Sequence, residues 1–317
     1  MTQGDNKESM SIRQIQTAYE MPHSDLASGT VQERIYAAMY GYLTDDLGRD
    51  REWSKVRAKA ESARIPAARV CDELLQNGIV VAGKRVLDLG AGLGCLTTEL
   101  ASRGGCMVSI EPGEAWRKVA AAQLAELGRA TGGEERVGQV LGAVGEALPF
   151  ADNSFDLIVS LQVLEHVQQP TRVVHELYRV LKPGGHLYIA YENYLSFREP
   201  HYDVLWWPLL PKALGAAYLK LRGRNPRFLL ESVTYTTFLA VRREMFRAGF
   251  LCMRREAMRG KVLSGEGGLK WRLLKTFSGR RDASLMKLLF AIDSSRRMFT
   301  TFTEEFLRKP ESPPLRS

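Results

Sequence analysis

The stretch Arg85 to Cys95, RVLDLGAGLGC, constrains this chain more than any other. Val86, Leu87 and Leu89 are the apolar residues of a short buried strand, and they run directly into Gly90, Gly92 and Gly94, after which a helical pattern begins. Strand, glycine turn and helix in that order make a nucleotide-type site, because glycines let the backbone approach a ligand that a Cβ would push away. The dinucleotide fingerprint requires the spacing G-x-G-x-x-G. Here the third position is Cys95, and the spacing is G-x-G-x-G. Asp88 stands two residues before the first glycine, where a negative charge would repel a pyrophosphate and attract a cation.

The motif resembles the first motif of the class I S-adenosylmethionine-dependent methyltransferases, VLDLGxGxG, whose cofactor carries an ammonium and a sulfonium. The likeness continues through Gly145 to Val167, with the form AExLPFxDxSFDxVxSxxVLEHV, and extends to Tyr191. It implies an α/β fold: a doubly wound, mostly parallel seven-stranded sheet with N-terminal helices and two mainly helical insertions. It also implies S-adenosylmethionine as cofactor, held by Asp88, Gly90, Ala91, Gly92, Gly94, Glu111, Pro112, Gly145, Glu146, Leu161 and Gln162. Glu111 follows the second strand, where a carboxylate can hold a ribose diol by two hydrogen bonds. Trp116, in the next helix, either covers the adenine or packs. Family members commonly place an Asp before the AE pair for the adenine amine. This chain has Val144 there, leaving Glu146 or the backbone near Gly145 for that task.

The periodicity predicts helices over 31–47 and 54–76, strands over 85–89, 106–110, 137–141, 155–160 and 186–191, and a helix over 233–249 stopped by Gly249. Lys182-Pro183-Gly184-Gly185 reads as a type II turn. The sixth strand is placed at 251–259 and the seventh at 298–308. The expected organisation is a disordered start and helical lid over 1–80, a cofactor core over 81–192, a substrate lid over 193–232, and the rest of the core over 233–317 with an insertion at 260–297.

Methyl transfer needs an acceptor aligned with the sulfonium and, where the acceptor must lose a proton, a base. His166, His201 and Tyr202 are the candidates. Glu165-His166 either reach the cleft or start and cap the following helix, and His201 is either a base or a surface loop residue. Tyr191, Glu192, Asn193 and Tyr194 are expected to line the pocket. Cys71, Cys95, Cys106 and Cys252 have no metal-ligand spacing, so no metal is expected.

The polar start and the lack of a long apolar run predict a cytoplasmic protein. Residues 1–211 carry 21 Lys and Arg against 27 Asp and Glu, and residues 212–317 carry 23 against 9. That basic last third suits either an anionic partner or a solvated face. Trp206-Trp207-Pro208-Leu209-Leu210, with Lys220, Arg222, Arg224 and Arg227, reads as a substrate lid or as an apolar wedge for peripheral contact with an anionic membrane. The leading expectation is methyl transfer to a small-molecule or lipid-linked acceptor, at oxygen or carbon. The alternatives are an RNA methyltransferase, suggested by the pI of 9.3, and a non-catalytic binding protein of the same fold. No recognisable RNA-binding module accompanies the basic residues, so nucleic acid is not the favoured partner.

Overall fold

A computed structural model describes residues 30–48, 53–62, 64–133, 138–253 and 299–311. The insertion expected at 260–297, with its share of the basic last third, lies outside these residues, as does the chain before Thr30.

Seven strands form one sheet in the order β3-β2-β1-β4-β5-β9-β8. These are β1 (Arg85–Leu89), β2 (Cys106–Ile110), β3 (Gly138–Leu141), β4 (Phe155–Leu161), β5 (Leu181–Glu192), β8 (Leu251–Cys252) and β9 (Phe302–Arg308). The first five pair in parallel, and β9 lies antiparallel between β5 and β8. The chain reverses direction across the sheet at β1, so the carboxyl ends of β1 and β4 open on the crevice where such sheets hold ligands.

Strand period explains the two-sided core. Leu87, Leu89, Val108, Ile110, Ile158, Leu187 and Ile189 share one cluster with Val173, Val174 and Leu177 of α6 (Pro170–Val180) and with Val241 and Met245 of α9 (Phe238–Ala248). The alternate residues Val86, Met107, Leu157, Val159 and Tyr188 face Val70 and Leu74 of α3 (Arg64–Gln76) and Leu96 and Leu100 of α4 (Cys95–Ser102). Both faces are covered, as a parallel sheet requires. The α5 helix (Glu114–Thr131) packs beside α4 and ends on Gly132 at φ +67°.

Several elements depart from the expected bounds. The first helix divides into α1 (Val31–Gly41), capped reciprocally by Thr30 and Glu33, and a π-helical turn over Tyr42–Asp46. The second divides into α2 (Trp53–Ser62) and α3. The helix expected from 233 starts only at Phe238, capped by the Thr237 hydroxyl. The β-branched run Val233, Thr234 and Thr236 disfavours a helix there, and two backbone bonds hold it extended: Thr234 N donates to Glu165 O and Tyr194 N donates to Thr236 O. Lys182 to Gly185 lie inside β5, as a bulge where Phe155 pairs Leu181 but Leu157 pairs His186. Gly184 has the φ of +75° that the third position of a type II turn needs.

The first insertion carries the hairpin β6 (Arg198–Glu199) and β7 (Val204–Leu205), then α7 (Lys212–Leu221) and α8 (Arg227–Ser232). Its core is a cluster of its own. Tyr202, Val204, Trp206, Leu219, Phe228 and Leu229 pack on Leu43 and Leu47 of the N-terminal segment. The insertion therefore sits over the carboxyl edge of the sheet and meets the π-helical turn there.

Candidate active site

A cavity of about 340 Å³ opens at the carboxyl ends of β1, β2 and β4. Gly90, Gly92, Glu111, Pro112, Gly113 and Trp116 line one side, and Ala143, Val144, Gly145, Leu161 and Gln162 line the next. Tyr42, His166, His201, Phe228 and Ser232 close it from the insertion side.

The three glycines do different work. A Cβ on Gly90 would stand 2.2 Å from Val163 Cγ2, and one on Gly94 would stand 2.7 Å from Ala120 Cα, so these two serve packing against the protein itself. A Cβ on Gly92 meets nothing within 4 Å. Gly92 is the one that leaves room for a ligand. All three have positive φ, at 81°, 51° and 87°. Gln162, at the end of β4, is a non-glycine residue at φ +56°, a conformation that costs on the order of 1–3 kcal/mol and is retained at the cavity wall.

Glu111 is held by the loops on either side of it. Its Oε2 accepts from Gly92 N at 2.8 Å and its Oε1 accepts from Gly113 N at 2.9 Å. Burial lifts the carboxyl to about 7, against the lowering effect of those two amides. An ionised carboxylate has roughly four acceptor sites, so about two remain for a ligand's hydroxyls. Among the lining residues Glu111 is the one carboxylate, and none is Lys or Arg. No Lys or Arg stands on the Gly92–Glu111 side to meet a pyrophosphate, whereas a phosphate-free nucleoside finds there a diol acceptor and a small, mostly apolar slot.

Four expected contacts are placed elsewhere. Asp88 is 2 % exposed and accepts from the Thr97 hydroxyl at 2.6 Å, a bond within the strand–helix unit, and burial raises it to about 6. Glu146 turns away from the cavity: its Oε1 accepts from Gln168 N at 2.9 Å and Gln169 N at 3.3 Å, securing the approach to α6. Ala91 and Gly94 do not line the cavity either. Of the candidate bases, Tyr202 is fully buried, donating from its hydroxyl to Asn225 O at 2.7 Å and accepting from Leu229 N at 3.1 Å, so it braces the insertion. Tyr191, Glu192, Asn193 and Tyr194 lie behind the cavity wall.

His166 and His201, 35 residues apart in sequence, come together. No side chain caps α6, which begins at Pro170, so Glu165 and His166 do not serve as its cap. His166 Nδ1 lies 3.0 Å from Ser232 O, and its Nε2 lies 3.3 Å from His201 Nε2. A carbonyl only accepts, so Nδ1 of His166 carries the proton and its Nε2 accepts from His201. Nδ1 of His201 is 2.9 Å from Glu199 Oε1 and 3.1 Å from Glu192 Oε2. Burial opposes a charge on His201, but Glu192, Glu199 and Glu165 outweigh it and raise the imidazole to about 9. Burial, helped by the positive His201, pushes His166 down to about 3. Burial also raises Glu165 and Glu192 above the usual carboxylate range. Tyr42, Phe228 and Ser232 carry no motif; they reach the cavity through the π-helical turn and the insertion.

Residues 87–189 match the family model described as "Methyltransferase domain". Over these residues the chain carries a methyltransferase domain of the class I S-adenosylmethionine-dependent type. A ubiquinone biosynthesis O-methyltransferase of Pseudomonas putida (strain W619) is 39% identical over 116 residues, which is 36% of this chain and 47% of that protein. An uncharacterized methyltransferase of Mycolicibacterium vanbaalenii is 33% identical over 146 residues, covering 46% and 54%. The chain thus spans about half the length of the curated relatives it matches. Among solved structures, the magnesium protoporphyrin IX methyltransferase of Synechocystis PCC 6803 with bound SAH aligns with a TM-score of 0.47 and 15% identity, over 69% of this chain and 84% of that one. Neither insertion falls within the matched domain.

Proposed function

We propose that this protein transfers a methyl group from S-adenosylmethionine to an oxygen of a small-molecule acceptor. The observation that carries the reading is the Gly92–Glu111 pair: an open glycine and a buried carboxylate, joined by a hydrogen bond, in a cavity lined by no Lys or Arg. When bound, the cofactor supplies an activated methyl on a sulfonium. Glu111 would accept from the ribose hydroxyls, and the backbone around Gly145, beside Val144, would face the adenine. Glu111 needs its charge to accept two hydrogen bonds, so affinity falls as pH drops below about 7.

His166, His201, Phe228 and Tyr42 form the wall where an acceptor would stand. The aromatic rings and the paired imidazoles shape this wall and exclude water, which favours the alignment on which most of the rate depends. Calorimetry with S-adenosylhomocysteine tests the cofactor half. Binding that weakens at least ~10-fold in Glu111→Ala supports it, and no heat at about millimolar ligand overturns it. Mass spectrometry of metabolite extracts incubated with isotopically labelled cofactor then identifies the acceptor by its one-methyl increment.

A contact with an anionic membrane is a second reading, favoured by a specific patch. Leu205, Trp207, Leu209, Phe197 and Phe299 are exposed together, Trp207 at 70 %, with Phe197 ringed by Trp207 and Phe299 at 6.0 and 6.1 Å. Trp206 is not part of it, being buried at 2 %. No helix of the described residues is long and apolar enough to cross a membrane, and the contact read here is a peripheral one made by the exposed aromatic patch. Flotation with anionic vesicles at low salt checks it: recovery in the lipid fraction supports the contact, and none removes it.

A further inference from the structure

Behind the histidine wall, gathered around its His201, lies a group of carboxylates that the methyl-transfer reading does not use. Glu192 ends β5, Glu199 ends β6, His201 follows it in the hairpin loop, and Glu165 comes from the loop after β4. One ligand atom from each of Glu192, Glu199 and His201 can be chosen so that all lie within 4.8 Å of one another. All three are deeply buried, with side-chain exposures of 2 %, 0 % and 6 %. Glu165 is an independent fourth observation. It is 0 % exposed, neither carboxylate oxygen has a hydrogen-bond partner, and it lies close enough to act electrostatically on both Glu192 and His201.

Three carboxylates are therefore buried around one imidazole, and among the described residues no Lys or Arg forms an ion pair with any of them. The single imidazolium of His201 balances at most one of the three carboxylates, and metal coordination is one arrangement that offsets the burial of the others. Tetrahedral coordination at ~2.0–2.2 Å spaces ligand atoms by roughly 3.3–3.6 Å. The observed spacings of 2.9 and 3.1 Å about His201 Nδ1 need only a few tenths of an ångström of expansion.

We propose that Glu192, Glu199 and His201 Nδ1, with the buried Glu165 carboxylate nearby, form a binding site for one divalent first-row transition ion of the Mn²⁺, Co²⁺ or Zn²⁺ type. Imidazole with carboxylates favours these ions over Mg²⁺ and Ca²⁺, and the absence of thiolate among these four argues against Cu⁺. The surrounding shell is already in place. His201 Nε2 donates to His166 Nε2, whose Nδ1 donates to Ser232 O, which fixes the tautomer that leaves Nδ1 of His201 for a metal. Tyr202 N donates to Glu199 Oε2 at 2.7 Å, and the Tyr194 hydroxyl lies 3.1 Å from Glu199 Oε1 and 3.2 Å from Glu192 Oε2. The carboxylates are thus held from outside. Since His201 also lines the cavity, an ion here would stand beside the acceptor's oxygen; that role rests on the methyl-transfer reading, whereas the ion site does not.

The test uses the full chain, stripped with a chelator and then dialysed separately against MnCl₂, CoCl₂, ZnCl₂ and MgCl₂, with metal content read by elemental analysis. One equivalent of a transition ion per chain is expected, with Mg²⁺ at least ~10-fold weaker. Glu192→Gln and Glu199→Gln should each weaken binding at least ~10-fold while S-adenosylhomocysteine still binds within about twofold, which also shows that the variants fold. If a variant does not fold, ¹⁵N-histidine spectra of the unaltered protein with Zn²⁺ decide: shifts confined to the His201–His166 pair support the site, and unchanged spectra overturn it. No stoichiometric Mn²⁺, Co²⁺ or Zn²⁺ in the unaltered protein overturns it, as does undiminished binding in the two folded variants. A protein that binds the ion but not S-adenosylhomocysteine would fail the cofactor reading and keep this one.

Discussion

The cavity has two walls made in opposite ways. The Gly90–Trp116 wall is continuous chain: strand, loop, helix, strand and loop in sequence order, with Gly92 and Glu111 joined across one βα unit. The opposite wall is assembled from Tyr42 in the π-helical turn, His166 after β4, His201 in the hairpin, and Phe228 and Ser232 in α8. The first wall depends on local backbone geometry. The second depends on the insertion docking against the N-terminal segment, a contact made by a cluster separate from the sheet's two cores. A cofactor common to a large family can be met by the first, while the second can vary with the acceptor.

The comparison breaks most readily at the first wall. Gly94→Val places a branched side chain at φ +87° with Ala120 Cα 2.7 Å from its Cβ, and we expect a loss of about 3 kcal/mol or more, read by urea denaturation. Gly92→Ala should cost only about 1 kcal/mol, its Cβ meeting no atom, yet abolish S-adenosylhomocysteine binding. If the two variants lose stability equally, the division of labour among the glycines is wrong.

Next in size is a pH effect. Glu111 is raised by burial from 4.5 to about 7, so the folded protein binds more protons than the unfolded chain between those values. The stabilisation is present at low pH and lost as pH rises through about 7. Ligand-free protein should lose up to about 3 kcal/mol from this group between pH 5 and 8, and Glu111→Gln should flatten the slope by that amount. An unchanged slope would show that Glu111 is not the titrating group.

The second wall gives smaller effects. Tyr202→Phe removes two buried hydrogen bonds within the insertion and should cost about 1–2 kcal/mol while leaving S-adenosylhomocysteine affinity unchanged. A matched loss of cofactor affinity would mean that the two walls are coupled. Trp207→Ala should change stability by less than about 0.5 kcal/mol, because the ring is 70 % exposed, and any effect should appear in vesicle flotation alone.

This asymmetry is also why one wall was legible in the sequence. The spacing of Gly90, Gly92 and Gly94, the strand ends and Glu111 sit within one short stretch, and a period of two or 3.6 residues reads each element locally. Even there, side-chain direction escaped the pattern: Asp88 and Glu146 occupy motif positions but turn to Thr97 and to the Gln168–Gln169 backbone. The helix expected from 233 begins only at Phe238 because the β-branched residues Val233, Thr234 and Thr236 suit a tethered extended segment better than a helix. His201 was visible as a titratable residue in an insertion, yet its meeting with His166 and Glu165 depends on tertiary docking, for which Glu165, Glu192 and Glu199 show no recognisable spacing.

The place of β9 has a consequence for how the protein is made. It enters the sheet between β5 and β8 although both precede it in the chain, and Thr300 and Thr301, just before it, accept from Asn193 Nδ2 and Asn193 N. During synthesis β5 must wait as a bare edge until β9 emerges, a state open to mispairing with other chains. The residue that follows Glu192, Asn193, gains two of its hydrogen bonds only when that strand arrives. Folding of the buried carboxylate–histidine group is therefore a late event, coupled to the slowest, most non-local pairing in the sheet.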